Sequence, residues 1–303
     1  MTRLRPSWLT LLLLPFFAPL VSQAANVSKP GYIAVVAAFP GEMESLRRII
    51  EGETIDRVER INGAEFHIGK AYGKDVIFFI TGVSTVNAAM TTQLALSNYD
   101  VEVLLFSGIA GGINPALEMG DVAIPAEWHY HAEGAYFNED PENPGEFIRP
   151  ETFRDIGPNF GMHHPRPVRA VRKGLTERIV KPTFSADADL LELSRVVTAE
   201  LEMDNALDEP VTFKIGGVGT AGPVFMDNRE YRKWLFESYQ IDSLDMESTA
   251  IAHVCWSNQV PFLIVRCMSD LAGGQEGVNQ IHEFGPDAQD NAAETLAAIL
   301  EAM

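Results

Sequence analysis

Cysteine is almost absent from this 303-residue sequence, which has only Cys255 and Cys267, too few for a disulfide framework. Cys255 falls in a helix-like run and Cys267 at the end of a strand-like one, so two buried free thiols are expected rather than a bridge. Metal-binding spacings are missing too: there is no Cys-x-x-Cys and no His-x-x-x-His. His129 and His131 would share one face of an extended segment, and His163 and His164 are adjacent, but no third ligand stands at a telling distance. No metal and no cofactor are expected. Positive charge is scarce, with 23 Lys and Arg against 42 Asp and Glu. So acidic a surface repels phosphate backbones and anionic lipid, which argues against nucleic acid or membrane as partner and for a small substrate of low charge. It also keeps the chain soluble. The one long apolar run, Trp8 to Val21, follows Arg3 and Arg5, is broken by Pro15 and Pro19, and ends in Ser22-Gln23-Ala24. It is short for a membrane span and has the layout of a signal peptide. Residues 1–24 are therefore expected to be removed after Ala24, leaving a periplasmic or secreted protein. An N-terminal membrane anchor is the alternative.

What remains, 25–303, reads as a single domain, since 46% hydrophobic residues suffice for a sizeable core. Tyr32 to Phe39 is a continuous apolar run after Pro30-Gly31, as in a fully buried strand. A helix is expected from about Glu42, with Met43, Leu46, Ile49 and Ile50 on one stripe. Further strands are expected over Val76 to Thr81, Val101 to Phe106, Val211 to Val218 and Pro261 to Cys267. Helices are expected over Ser84 to Ser97, Leu190 to Leu201, Asn228 to Ser238, Met246 to Ser257 and Ala288 to Ala302. Alternating strands and helices indicate an α/β fold with a largely parallel sheet, in which ligands bind at the carboxyl ends of strands. From about 139 to 181 the texture changes to Pro, Gly, Asn and charge. Such an irregular insertion is a lid, an interface element or a poorly ordered segment.

Three segments carry candidate chemistry. Gly108-Ile-Ala-Gly-Gly112 follows a buried strand, and its glycines would let backbone N–H groups approach a ligand; a tight strand exit is the plainer reading. In Leu244-Asp-Met-Glu-Ser-Thr-Ala-Ile-Ala-His253, Glu247 lies at the start of an apolar helix. There the helix dipole and the hydroxyls of a bound sugar can both meet a carboxylate, whereas Asp245 suits an N-cap. The apolar strand Pro261-Phe-Leu-Ile-Val-Arg-Cys-Met-Ser-Asp270 delivers Ser269 and Asp270 at its carboxyl end. Desolvation there keeps a proton available, as a general acid needs, although Asp270 could also be a cap or turn former ahead of Gly273-Gly274.

With these landmarks the chain resembles the nucleoside phosphorylase superfamily, and most its 5′-methylthioadenosine/S-adenosylhomocysteine nucleosidase branch. The resemblance rests on the opening strand with Glu42, on Ser107 to Ile113 with Gly120-Asp-Val-Ala-Ile124, on Asp245 to Val254 and on Val265-Arg-Cys-Met-Ser-Asp270, and it covers nearly all of the mature chain apart from the insertion. It implies a three-layer α/β/α fold around a mixed, largely parallel twisted sheet, a purine nucleoside as substrate, and a homodimer. Residue by residue, Glu42 matches the acid that activates water, Met246 and Glu247 the pair that packs against the ribose and grips its hydroxyls, and Ser269 with Asp270 the pair that reads the purine. Phe225 matches the aromatic that stacks on the base, in a segment longer than the family's short form. Gly111 belongs to the substrate loop. Ile109 stands where the nucleosidases usually show a small or hydroxyl residue.

The expected reaction is hydrolysis of the N-ribosidic bond, which builds positive charge on the sugar and negative charge on the purine, so that a proton donor at the base and an anion near the sugar both lower the barrier. Two alternatives differ by identifiable features. A phosphate-dependent phosphorylase resembles this chain but carries arginines just before the glycine loop and near the opening strand, to hold a dianion; here those places have Leu105-Phe106-Ser107 and Glu42, with Arg47 and Arg48 a turn further on. An exported nucleoside-binding or storage protein would share the fold without turnover. Ile109, the longer insertion and export also keep plain adenosine or inosine open as substrates beside 5′-substituted nucleosides.

Overall fold

A computed structural model of the chain describes residues 31–153 and 157–303, so the expected signal segment lies outside the described residues. Strand β1 (Tyr32–Ala37) leads into α1 (Pro40–Ile49), whose first turn holds Pro40, where no backbone donor is lost, and Glu42. Next come β2 (Thr54–Ile61), β3 (Ala64–Ala71), β4 (Lys74–Ile80), α2 (Thr85–Asn98) and β5 (Val101–Gly112). β2 and β3 form an antiparallel hairpin that no apolar run announces, because charged residues alternate along it. Short strands β6 (Val122–Ile124), β7 (Glu127–Tyr130), β8 (Gly134–Tyr136), β9 (His163–Pro165), β10 (Val168–Ala170), β11 (Ile179–Lys181) and β12 (Thr183–Ser185) follow. The second half holds α3 (Ala188–Thr198), β13 (Phe213–Ile215), β14 (Val218–Ala221), α4 (Arg229–Tyr239), β15 (Ile241–Asp245), α5 (Ser248–Asn258), β16 (Phe262–Asp270) and α6 (Ile281–Ala302).

The main sheet is mixed, running β12-β7-β14-β15-β5-β1-β4-β3-β2, with β16 paired to both β5 and β6 and β13 paired to β6. Its centre is parallel: β1 with β4 and β5, β16 with β5, β14 with β7 and β15. Helices α1, α3 and α6 pack together on one side and α2 and α5 on the other, which gives the three-layer α/β/α arrangement. The core between the layers includes Val35, Val36, Phe78, Phe79, Leu104, Leu105, Ile264, Val265, Leu296 and Ile299, as the continuous apolar strands of a doubly covered sheet require.

Several sequence boundaries move, three of them in ways that shape the fold. The glycine segment expected to leave the sheet after Phe106 stays in it, since β5 continues to Gly112 by pairing with β16 and, at Gly111 and Gly112, with β15. The strand expected over Val211 to Val218 is two strands, split by Gly216 and Gly217, both at positive φ. The last helix starts at Ile281 and carries Pro286 within its second turn. The insertion is held by short hairpins, β8 with β9 and β10 with β11. His163 Nε2 lies 2.8 Å from the His131 carbonyl oxygen, and His131 Nδ1 lies 3.0 Å from the Tyr231 hydroxyl, tying it to α4. Burial pushes the His131 imidazole down to about 3 and His129 to about 4, so both are neutral packing groups. Among the described residues no three His, Cys, Asp or Glu side chains gather as a metal site. Cys255 and Cys267 are free and buried.

Candidate active site

Strand β5 is held by β1 as far as Phe106 and by β16 beyond it. Where β1 and β5 part, a cavity of about 180 Å³ opens at the carboxyl ends of the central strands, the usual place for ligands in such sheets. Every site residue expected from the sequence lines it: Glu42, Ile109, Gly111, Phe225, Met246, Glu247, Ser269 and Asp270. No lysine or arginine does so among the described residues.

The local chain explains these placements. Successive residues of a strand point to opposite faces, so Ser269 and Asp270 should not both reach one cavity. A register shift between Met268 and Asp270, where β16 pairs with Ala110 and Gly111, removes the conflict, because a bulge re-aims a side chain. Ser269 Oγ then donates to Asp270 Oδ2 at 3.0 Å, while Asp270 Oδ1 accepts from the Ala272 N–H at 2.8 Å and from Asn279 Nδ2 at 3.1 Å. The N-cap position of α5 is Glu247 rather than Asp245, but Asp245, at the end of β15, braces the turn into the helix, its Oδ1 accepting from the N–H groups of Glu247 and Ser248, each at 2.7 Å. Glu247 is thereby fixed at the helix start. Its Oε1 accepts from the Ser84 N–H at 2.7 Å. Ser84 sits at φ +82°, a left-handed backbone that a serine adopts at a cost and that marks a constrained functional turn.

Beneath the cavity lies a residue to which the sequence reading gave no role. Arg266 is fully buried in the middle of β16. Its Nε donates to Asp245 Oδ2 at 3.1 Å and Ser248 Oγ at 2.9 Å. Its Nη1 lies 3.7 Å from Glu42 Oε1 and its Nη2 3.6 Å from Glu247 Oε2. The guanidinium rests on the Phe106 ring, 4.0 Å from its centroid, a favourable cation–π geometry. One cation thus joins three carboxylates from three elements. A charged residue inside the apolar run Phe262 to Met268 was the available signal, because an arginine there must find buried partners. Gly108 makes room for the cluster, since a Cβ on it would stand 1.9 Å from Arg266 Nη1 and 2.3 Å from Glu42 Oε1.

Glu42 occupies the first turn of α1, where its Oε2 accepts from the Ala38 N–H at 2.7 Å and its Oε1 from the Ile109 N–H at 2.9 Å. Burial raises its proton affinity above the ordinary carboxylate range, against the pull of Arg266. For Glu247, burial and then the charge of Asp245 raise the carboxyl to about 7, again opposed by Arg266. Arg47 and Arg48, the other cations near the opening strand, face away: Arg47 pairs with Glu53 and Arg48 with Asp290. Phe225 is half exposed above the cavity. Phe39, Val83, Val224 and Ile281 complete an apolar rim that only the assembled chain reveals.

The sequence profile of the phosphorylase superfamily matches residues 32–303. The chain belongs to the phosphorylase superfamily. Among curated members, it is 29% identical over 248 residues to a 5′-methylthioadenosine/S-adenosylhomocysteine nucleosidase of Bacillus cytotoxicus, covering 82% of this chain and 89% of the relative. It is 27% identical over 274 residues to the nucleosidase of that name from Staphylococcus carnosus, covering 89% of this chain and all of the relative. Solved structures of similar fold include futalosine hydrolase of Helicobacter pylori, with a TM-score of 0.68 and 19% identity, covering 90% of this chain and 98% of that one. The Neisseria meningitidis 5′-methylthioadenosine/S-adenosylhomocysteine nucleosidase in complex with methylthio-immucillin-A matches with a TM-score of 0.67 and 22% identity, covering 90% and 99%.

Proposed function

We propose that this superfamily member is a purine nucleosidase that uses water to cleave the N-ribosidic bond. The observation that carries the reading is the charge of the nucleophile's side of the cavity. Among the described residues no cation lines the cavity, and Arg266 beneath it already faces Glu42, Asp245 and Glu247, so a phosphate dianion would meet three carboxylates, whereas water meets a base. In the reaction, water oxygen bonds to the anomeric carbon of ribose, Glu42 takes the water proton, the bond to purine N9 breaks, and Asp270 delivers a proton to N7 of the leaving base. Glu247 holds the ribose hydroxyls, Met246 packs on the sugar, and Phe225 stacks on the purine with Ser269 beside it. The names of the two curated relatives described above, both nucleosidases, agree with this chemistry.

The apolar rim of Phe39, Val83, Val224 and Ile281 favours a 5′-substituent of hydrocarbon or thioether character, such as methylthio, over a free hydroxyl. Purified protein given 5′-methylthioadenosine, adenosine and inosine is expected to release free base and free sugar at a rate indifferent to phosphate, with the methylthio substrate preferred. Ribose 1-phosphate as product, or turnover only with phosphate present, overturns the hydrolase reading. Export belongs to the same proposal, supported by the basic start and short apolar run ending at Ala24, as does a homodimer, supported by the exposed apolar side chains Val83, Val86 and Met90 beside the site.

The raised carboxyls set the pH response. Glu247 and Glu42 must be ionised to hold the sugar cation and to accept a proton, so kcat/KM is expected to fall as pH drops below about 7. Because both carboxylates face Arg266, the acidic limb belongs to the pair, and Glu247→Gln is expected to displace it. The stability linkage runs the other way. A carboxyl raised from 4.5 to about 7 contributes stability fully below pH 4.5 and loses that contribution as pH rises through 7. A flat kcat/KM from pH 5 to 8 would remove Glu247 and Glu42 from these roles.

A further inference from the structure

Asp270 is held by one side chain from outside its own strand, and that side chain reaches further. Asn279 lies between β16 and α6 and offers two amide hydrogens. Its Nδ2 stands 3.1 Å from Asp270 Oδ1 and 3.2 Å from Asp227 Oδ1, and its Oδ1 accepts from the Ile281 N–H at 3.0 Å. The amide orientation is therefore dictated by chemistry, because a flip would set its oxygen against two carboxylate oxygens and its NH2 against a backbone N–H. With Ala272 and Asn279 both donating to Oδ1, Asp270 is left with Oδ2, which among the described residues accepts from the Ser269 hydroxyl alone, as the oxygen that faces the base. Asp227 is two residues beyond Phe225 and is also bound by Gln275 Nε2 at 2.8 Å. Ile281 is part of the cavity rim. One amide thus joins the aromatic segment over the base, the acid beneath it and the start of α6.

We infer that Asn279 is a positioning residue for proton delivery, and that through Asp227 it makes the aim of Asp270 depend on the seating of the Phe225 segment. Asp270 is oriented fully when Phe225 covers the base and Asp227 is docked; with Asp227 undocked, Asn279 loses one of the two acceptors that fix its amide. The inference rests on Asp270 acting as the acid, and its test separates the two. Steady-state kinetics are measured for wild type, Asp270→Asn, Asn279→Ala and Asp227→Ala on two substrates: a purine nucleoside, and 4-nitrophenyl β-D-riboside, whose leaving group departs as a stable anion needing no proton. For Asn279→Ala we expect kcat on the purine nucleoside to fall ten- to a hundredfold with KM within threefold, and nitrophenyl riboside hydrolysis to change less than threefold. Asp227→Ala, an exposed position that leaves every contact of Asp270 in place, is expected to show the same pattern at three- to tenfold, and it carries the test if Asn279→Ala does not fold. A slow Asp270→Asn beside Asn279→Ala and Asp227→Ala variants that match wild type overturns the inference, as does equal loss on both substrates, which is the signature of a merely structural residue. An Asp270→Asn enzyme as fast as wild type instead overturns the underlying assignment of the acid.

Discussion

Asp270→Asn is expected to lower kcat for purine nucleoside hydrolysis by about 10²- to 10⁴-fold, the contribution of a well-placed general acid, while KM and fold are nearly retained. The purine leaves as an anion unless N7 is protonated as the bond breaks, and among the described residues the other acids lining the cavity, Glu42, Asp245 and Glu247, are all fixed on the side of Arg266. Structure should survive because the substitution matches the surroundings of the carboxylate. An asparagine oxygen at the Oδ1 position keeps the hydrogen bonds from Ala272 and Asn279, and its NH2 at the Oδ2 position meets the Ser269 hydroxyl, which can turn to accept. A circular-dichroism melt within a few degrees of wild type and a single-turnover assay check the two halves. A variant as fast as wild type removes Asp270 from the reaction. Binding of nucleoside by both proteins with turnover by neither supports the storage alternative instead.

Much of this site can be read from the chain before folding, for a reason that differs residue by residue. Glu247 and Asp270 announce themselves because each ends or begins an otherwise apolar element, so their charge needs an explanation that packing does not supply. The opening strand is legible from its continuous apolar run, whereas the role of Glu42 comes through family likeness. Phe225 is found only through family likeness, since the segment around it has no periodicity. Arg266 sits in plain view within Val265-Arg-Cys-Met, but its meaning depends on three acids that are distant in sequence, and pair contacts of that kind are not encoded in any local pattern. The bulge that brings Ser269 and Asp270 to one face is likewise invisible to a rule of strict alternation. The hairpin of β2 and β3 escapes because its apolar residues alternate with charged ones instead of forming a run, and the long β5 because glycine, usually a sign that a strand is ending, here admits Arg266 and Glu42 beside the backbone. The fold was thus legible where burial is continuous, and obscure where a strand is built for close approach.

Arg266→Met should be the most destabilising of the substitutions considered, and its pH dependence should show why. Methionine fills much of the same space and can still pack on Phe106, so the loss is electrostatic. Three buried carboxylates, Glu42, Asp245 and Glu247, would be left without the cation that each now faces, and removing one partner of a buried ionic cluster costs about 3–5 kcal/mol. The remaining acids have one escape, which is to bind protons. Burial already raises Glu42 and Glu247 with Arg266 in place, and without it their proton affinity must rise further, since Arg266 is the attractive partner of both. Protonation is cheap at pH 5 and expensive at pH 8, so urea denaturation should show a deficit relative to wild type that grows with pH between those values. A deficit that is constant with pH would mean that the arginine acts through packing alone, and a deficit that grows toward acid would reverse the assignment of charges. The same cluster links stability to catalysis. The cation that makes it tolerable to bury Glu42 and Glu247 as ions also keeps them available as base and sugar ligand at neutral pH, so a variant rescued from unfolding by acid would be folded with both acids protonated, and hence inactive.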